Sequence, residues 1–148
     1  MEHMKNLNSK REDDSPRAHM KQEPVDQNNS NIQRNPEELL ALLSPRSREK
    51  ALWVLRNKRV AKYVFYPSGR EIWIVSGEGG DYLVLGDYYC SCLDFYLESL
   101  VRIKRAFCYH IVAKKIAECT EIYRTYETPD SEFENLITDL MKQALDLL

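Results

Sequence analysis

The residues able to do chemistry in this chain gather between Cys90 and His110. Cys90-Ser91-Cys92 is followed by fifteen residues and then by Cys108-Tyr109-His110. Three of the four cysteines, and the one histidine beyond position 19, fall in this stretch. Each half carries two metal-compatible side chains around one spacer. Three thiolates and one imidazole complete a tetrahedral zinc set and leave no position for a catalytic water. The pattern predicts one structural Zn²⁺ held by Cys90, Cys92, Cys108 and His110, with no catalytic residue.

The spacing suits that chemistry. Residues two apart in extended chain point to the same side, so the Cys90 and Cys92 sulfurs can reach one ion. Cys108 and His110 are expected at a helix start, where the positive end of the macrodipole favours thiolate. Two metal-free readings compete. A Cys–His catalytic pair lacks an evident acid or amide as third member. Two disulfides would leave His110 unexplained, and tight pairing around single spacers favours metal in a reducing interior.

The elements that must position these ligands can be read on either side of them. Asn35-Pro36-Glu37-Glu38 is a helix start, with an Asn cap and Pro in the first turn, and Ser44-Pro45 repeats the signal for a second helix to about Asn57. Three β-branched and aromatic runs follow: Val60 to Tyr66, Glu71 to Val75 and Asp81 to Leu85. Pro67 to Arg70 and Gly77 to Gly80 have turn chemistry. The second of these lacks the Lys and Ser/Thr of a phosphate loop. Tyr88 to Cys92 extends the series, predicting an antiparallel meander of three or four strands.

Beyond the ligands, Val112, Ile116, Cys119, Tyr123 and Tyr126 fall at helical spacing and predict a helix from about Cys108 to Tyr126, with Cys119 a buried thiol in its stripe. Thr128-Pro129-Asp130 opens a last helix whose stripe is Phe133, Leu136, Ile137, Leu140, Met141, Ala144 and Leu145. That stripe either covers the sheet or offers an apolar face to a partner. The fold class is α+β: N-terminal helices, the meander, the zinc site and two C-terminal helices.

The insert between the ligand pairs is bounded by reach. A single helix over Leu93 to Arg105 would carry the chain about 20 Å away at 1.5 Å per residue. Phe107 alone could not return it. A short helix, Leu93 to Leu100, followed by a returning loop is expected. The loop projects Arg102, Lys104 and Arg105, and Lys114 and Lys115 lie just beyond the second ligand pair. These five cations are either a solvated face or a nucleic-acid contact.

Composition bounds the rest. At 148 residues and 43% hydrophobic, the chain is expected to form one domain over 36–148. Residues 1–35 contain no Phe, Trp or Tyr and are rich in Asn, Ser, Gln and charge, so a disordered tail carrying His3 and His19 is expected. The first residues form no apolar signal segment, and no apolar run reaches a membrane span. An intracellular protein is the expectation, cytoplasmic in an archaeon or nuclear in a eukaryote. The net charge of −2 means that nucleic-acid contact requires a local patch.

Strands, Cys-x-Cys, spacer, Cys-x-His and a following helix together resemble the SWIM zinc finger. Ala113, three residues after His110, and the Pro67-Ser68-Gly69-Arg70 turn resemble the SWIM subunits of the Shu complex in particular. The likeness spans roughly Ala51 to Ile116. It implies a non-enzymatic subunit that pairs with a RecA-like recombinase paralogue and, with it, binds DNA in homologous recombination. It also implies zinc at the four ligands and a packing role for Ala113 against its own helix or the partner. A stand-alone DNA-binding SWIM finger, such as a transposase accessory or transcription factor, and a pure protein-interaction zinc module are the alternatives.

Overall fold

The computed structural model describes residues 35–146. The expected tail at 1–35, with His3 and His19, lies outside this range except for Asn35, as do Leu147 and Leu148. Asn35 caps α1 (Pro36–Ala41) by accepting the Glu37 amide, and Ser44 caps α2 (Pro45–Arg56) by accepting the Ser47 amide. Both helices carry Pro in the first turn, where its missing N–H costs nothing.

The strands are β1 (Val60–Tyr66), β2 (Glu71–Ser76), β3 (Asp81–Leu85) and the two-residue β4 (Tyr89–Cys90). They form an antiparallel meander, with Val60 opposite Val75, Trp73 opposite Val84 and Val84 opposite Cys90. The turn at 67–70 places Gly69 at φ 74°, a conformation open to glycine. Ser68 of that turn is fixed from a distance by the Asp130 carboxylate, which accepts from its amide and hydroxyl.

The segment after the ligands corrects the expected long helix. The helix α3 covers Tyr109–Thr120 only and stops where Glu121 turns left-handed at φ 56°. The chain then forms a fifth strand, β5 (Arg124–Pro129), parallel to β1 with Tyr63 opposite Tyr126. Sheet order is β4-β3-β2-β1-β5. Tyr123 and Tyr126 are thus not helical: Tyr123 packs edge-on to Trp73, and Tyr126 stacks on Tyr63 at 5.0 Å. Cys119 is exposed rather than buried, because α3 leaves the core after Ala117.

Alternation along the strands divides the core in two. Trp73, Val75 and Val84 face α1, α2 and α3, packing with Leu39, Ala51, Val54, Val112 and Ala113. Ile72, Ile74 and Leu83 face the opposite way and meet α4 (Phe133–Asp146), where Leu140 is buried and Phe133 stands edge-on to Phe65. A single 3₁₀ turn (Asp130–Glu132) leads into α4. The apolar stripe therefore covers the sheet with its first half. Its second half, Met141 and Leu145, stays exposed. Among the described residues, no helix is long and apolar enough to cross a membrane.

Candidate metal centre

The two ligand pairs arrive from different layers. Cys90 ends β4 opposite Val84 and so shares the face that Val84 turns toward α3. The next residue is tied back to β3 twice: Ser91 donates its amide to the Leu83 carbonyl, and its hydroxyl accepts the Leu83 amide. That clasp bends the chain so that Cys92 comes round to the same point. On the other side, Cys108 is the extended N-cap residue of α3 (φ −86°, ψ 170°), and His110 lies in the helix's first turn.

The four ligand atoms lie within 4.8 Å of one another, and all four residues are buried. A tetrahedral zinc with Zn–S of about 2.3 Å sets its ligand atoms about 3.8 Å apart. Both ring nitrogens of His110 are buried without a hydrogen-bond partner, a costly arrangement unless one of them meets a cation. The thiols tell the same story. Hydrogen bonds from Cys108 and Cys90 hold the Cys92 thiol far below its ordinary range, while hydrogen bonding to Cys108 and Cys92 drives Cys90 upward. Burial raises Cys108. Three buried thiols and an imidazole this close together are a donor set that a divalent ion would satisfy. These residues fit zinc, which would act as a cross-link between the sheet and α3.

The surroundings hold the ligands in place. The Phe95 amide donates to Cys92 Sγ at 3.2 Å. The His110 ring packs between Tyr82 at 4.3 Å and Tyr109 at 3.9 Å, centroid to centroid. Gly77, at the start of the β2–β3 turn, lies against this group: a Cβ there would meet His110 Nε2 at 2.8 Å. From its place in the sequence, Gly77 is turn material alone. Its glycine is also dictated by close approach to the site. Burial, ahead of the field from Tyr82 and Glu78, pushes the Tyr109 phenol well up.

The insert leaves the site as a short wide helical turn, Phe95–Val101, with i→i+5 bonding that continues as Arg102 N–H to Leu97 C=O. The remaining residues return as a loop whose tip, Ile103, is 82% exposed. Its cations, and those of α3, are largely paired. Arg102 binds Glu98, Arg105 binds Asp94 at 2.7 Å, and Lys115 binds Asp87 at 2.7 Å. Lys114 is buried, 4% exposed, between Glu118 and Asp87 with its ammonium over the Trp73 ring. It is a core cation and is not presented on a surface. Lys104 alone of the five has no carboxylate partner among the described residues. Ala113 is fully buried among Ala51, Val54 and Val112, packing within the chain's own core.

Comparison with known proteins adds a relative. The chain is 32% identical over 93 residues to the zinc finger SWIM domain-containing protein 7 homolog of Dictyostelium discoideum. The match covers 61% of this chain and 59% of that protein. No family model matches, and no solved structure does. The similarity and the four-ligand cluster together support a SWIM-type zinc-binding module.

Proposed function

We propose that the chain is a non-enzymatic, zinc-stabilised adaptor that pairs with a RecA-like recombinase paralogue and binds DNA to promote homologous recombination. The observation that supports the adaptor reading is the ligand set: four buried donors suffice for a tetrahedral shell, which would leave no coordination position for a substrate or water. A metal so placed fixes surfaces in space. One such surface adjoins it. Leu93, Tyr96 and Leu100 of the insert face Met141 and Leu145 of α4 across a cleft of about 380 Å³ that reaches Cys90 and Cys92. Leu145 is 66% exposed there, and exposed apolar faces of this kind suit a protein partner. The resemblance to SWIM subunits supplies the partner's class.

Affinity purification from native extract, with identification of what co-purifies, tests the reading. A RecA-like protein retained by the wild type and lost by Leu100→Asp with Leu145→Asp is expected. Recovery of no RecA-like protein under gentle conditions overturns the adaptor. A pure protein-interaction module is the second reading, favoured by the pairing of four of the five insert and α3 cations. It wins if the purified complex binds no DNA.

A further inference from the structure

Because α4 is one helix about 10 Å wide and strands lie about 4.8 Å apart, it covers only part of a five-stranded sheet. It lies over β2 and β3. On the same face Phe133 covers Phe65 of β1, but the start of β1 and the strand β5 are left open, and register brings Ala61 beside Arg124 and Tyr63 beside Tyr126. The result is a cleft of about 500 Å³ between α4 and the open strands.

Its contents are specific. Tyr63 and Tyr126 form a stacked pair, centroids 5.0 Å apart at 29°. Tyr126, on the edge strand, is exposed. Lys58 and Arg124 stand at one end and are exposed, and neither pairs with a carboxylate among the described residues. Arg59 lies beside them with its guanidinium over Trp53 at 4.6 Å. Two carboxylates also line the cleft, Asp139 and Asp81, the latter accepting from the Ser76 hydroxyl.

We infer that this cleft, and not the insert, is where the chain holds a single nucleic-acid strand, with a base on the Tyr126–Tyr63 platform and phosphates on Lys58 and Arg124. This rests on the DNA-binding reading above. Unpaired cations beside an exposed stacked aromatic are the two parts that single-strand recognition combines. A concave cleft receives an unstacked base, whereas a duplex is read by protein parts that protrude into its grooves. The insert's Arg102 and Arg105 are already engaged by carboxylates, so releasing counterions from a strand there would first break those pairs.

Fluorescence anisotropy with a labelled oligothymidylate of about 12 nucleotides tests this on the zinc-loaded full chain, alone and as the complex that co-purifies. Tyr126→Ala should weaken binding about 5- to 150-fold, while Tyr126→Phe retains it. Lys58→Asn with Arg124→Gln should lower the magnitude of the salt slope by about 1.4. Asn is chosen because Lys58 has φ 51°. Replacing Arg102, Lys104 and Arg105 together by Ala should change affinity less than about 2-fold. Zinc content and circular dichroism matching wild type establish that each variant is folded. Wild-type binding that survives the cleft changes but falls in the insert variant overturns the inference and leaves the DNA reading standing. Wild type that binds duplex only overturns the strand assignment. Wild type that binds no nucleic acid, alone or in complex, overturns both.

Discussion

The backbone of Gly77 lies so near His110 that a Cβ at that position would stand 2.8 Å from Nε2 and 2.6 Å from the Tyr109 hydroxyl. Gly77→Ala should therefore force the imidazole, one of the four candidate zinc ligands, off its position. Overpacking of this order costs about 1–3 kcal/mol. Thermal unfolding of the zinc-loaded protein checks the stability loss, and competition with a chromophoric chelator should show weaker zinc retention. Gly79→Ala is the comparison, since its contact there is with the Tyr82 hydroxyl, the far end of a side chain. Equal effects of the two would refute the special place given to Gly77.

Removing the metal should remove the fold. Three thiols and an imidazole crowd within 4.8 Å, and neither buried ring nitrogen of His110 has a hydrogen-bond partner among the described residues. Structural zinc contributes on the order of 10 kcal/mol to small domains. Metal analysis should find one zinc per chain. Cys108→Ser, or a strong chelator, should collapse the circular-dichroism signal, and readdition of zinc should restore it in the wild type. A chelated protein with an unchanged melting profile would contradict the cross-link.

The four cysteines should divide three to one in reactivity. Cys90, Cys92 and Cys108 are buried in the site, whereas Cys119 is exposed near the end of α3. Titration with a chromogenic disulfide reagent should count one rapidly reacting thiol per chain in the zinc-loaded protein and four after chelation in denaturant. Cys119→Ser should abolish the rapid phase. It should leave stability within about 0.5 kcal/mol, as surface changes do.

Asp87 gives a small acid dependence with a definite sign. Burial opposes its charge, but the Lys115 hydrogen bond and the Lys114 field outweigh that and hold the carboxyl below its ordinary value near 3.8. Its contribution is thus complete above that ordinary value and is lost as pH falls through the lower folded-state value. The side chain is half exposed, so the worth is under about 1 kcal/mol. Urea unfolding at matched zinc occupancy should place Asp87→Asn below wild type at pH 7. The gap should shrink, as far as zinc is retained, when pH falls toward the lowered folded-state value, and a gap that widens in acid would reverse the assignment.

The two halves of the α4 stripe should behave differently. Leu140→Ala opens a buried position against β3 and should cost about 2–5 kcal/mol. Leu145→Ala, on the exposed half, should stay within about 0.5 kcal/mol in the isolated chain. Chemical denaturation measures both.

Much of this architecture was legible because its signals are local. The Asn35 and Ser44 caps with their prolines, the turn at Pro67 to Arg70, and the paired cysteines each act within a few residues. The reach of the insert was legible too, since it follows from helix rise alone. What misled was the end of α3. Helical spacing of apolar residues continues past Thr120, and the left-handed stop is made by Glu121 where a glycine would have announced it. The strand β5 then depends on a partner sixty residues earlier, and its residues Arg124-Thr125-Tyr126-Glu127 carry no buried alternation to betray it. Cys119 followed the same error: its position around the helix suits burial, but its position along the axis lies past the core. Two of the ion pairs, Arg102–Glu98 and Lys114–Glu118, are local i,i+4 contacts, but Asp94 reaches Arg105, and Asp87 reaches Lys114 and Lys115, only once β4, the insert and α3 are assembled.

The insert begins at one ligand pair and ends at the other, so a metal held there would close it into a ring independent of the rest of the chain. The closure entropy of such a ring grows slowly, by about 0.6 kcal/mol for each doubling of length. Its outer arc, from Arg102 to Ala106 around the exposed Ile103, should therefore accept foreign sequence more readily than any hairpin of the sheet. A peptide epitope or a short affinity tag spliced at Ile103 would be carried on a mount that bound zinc would hold at both feet.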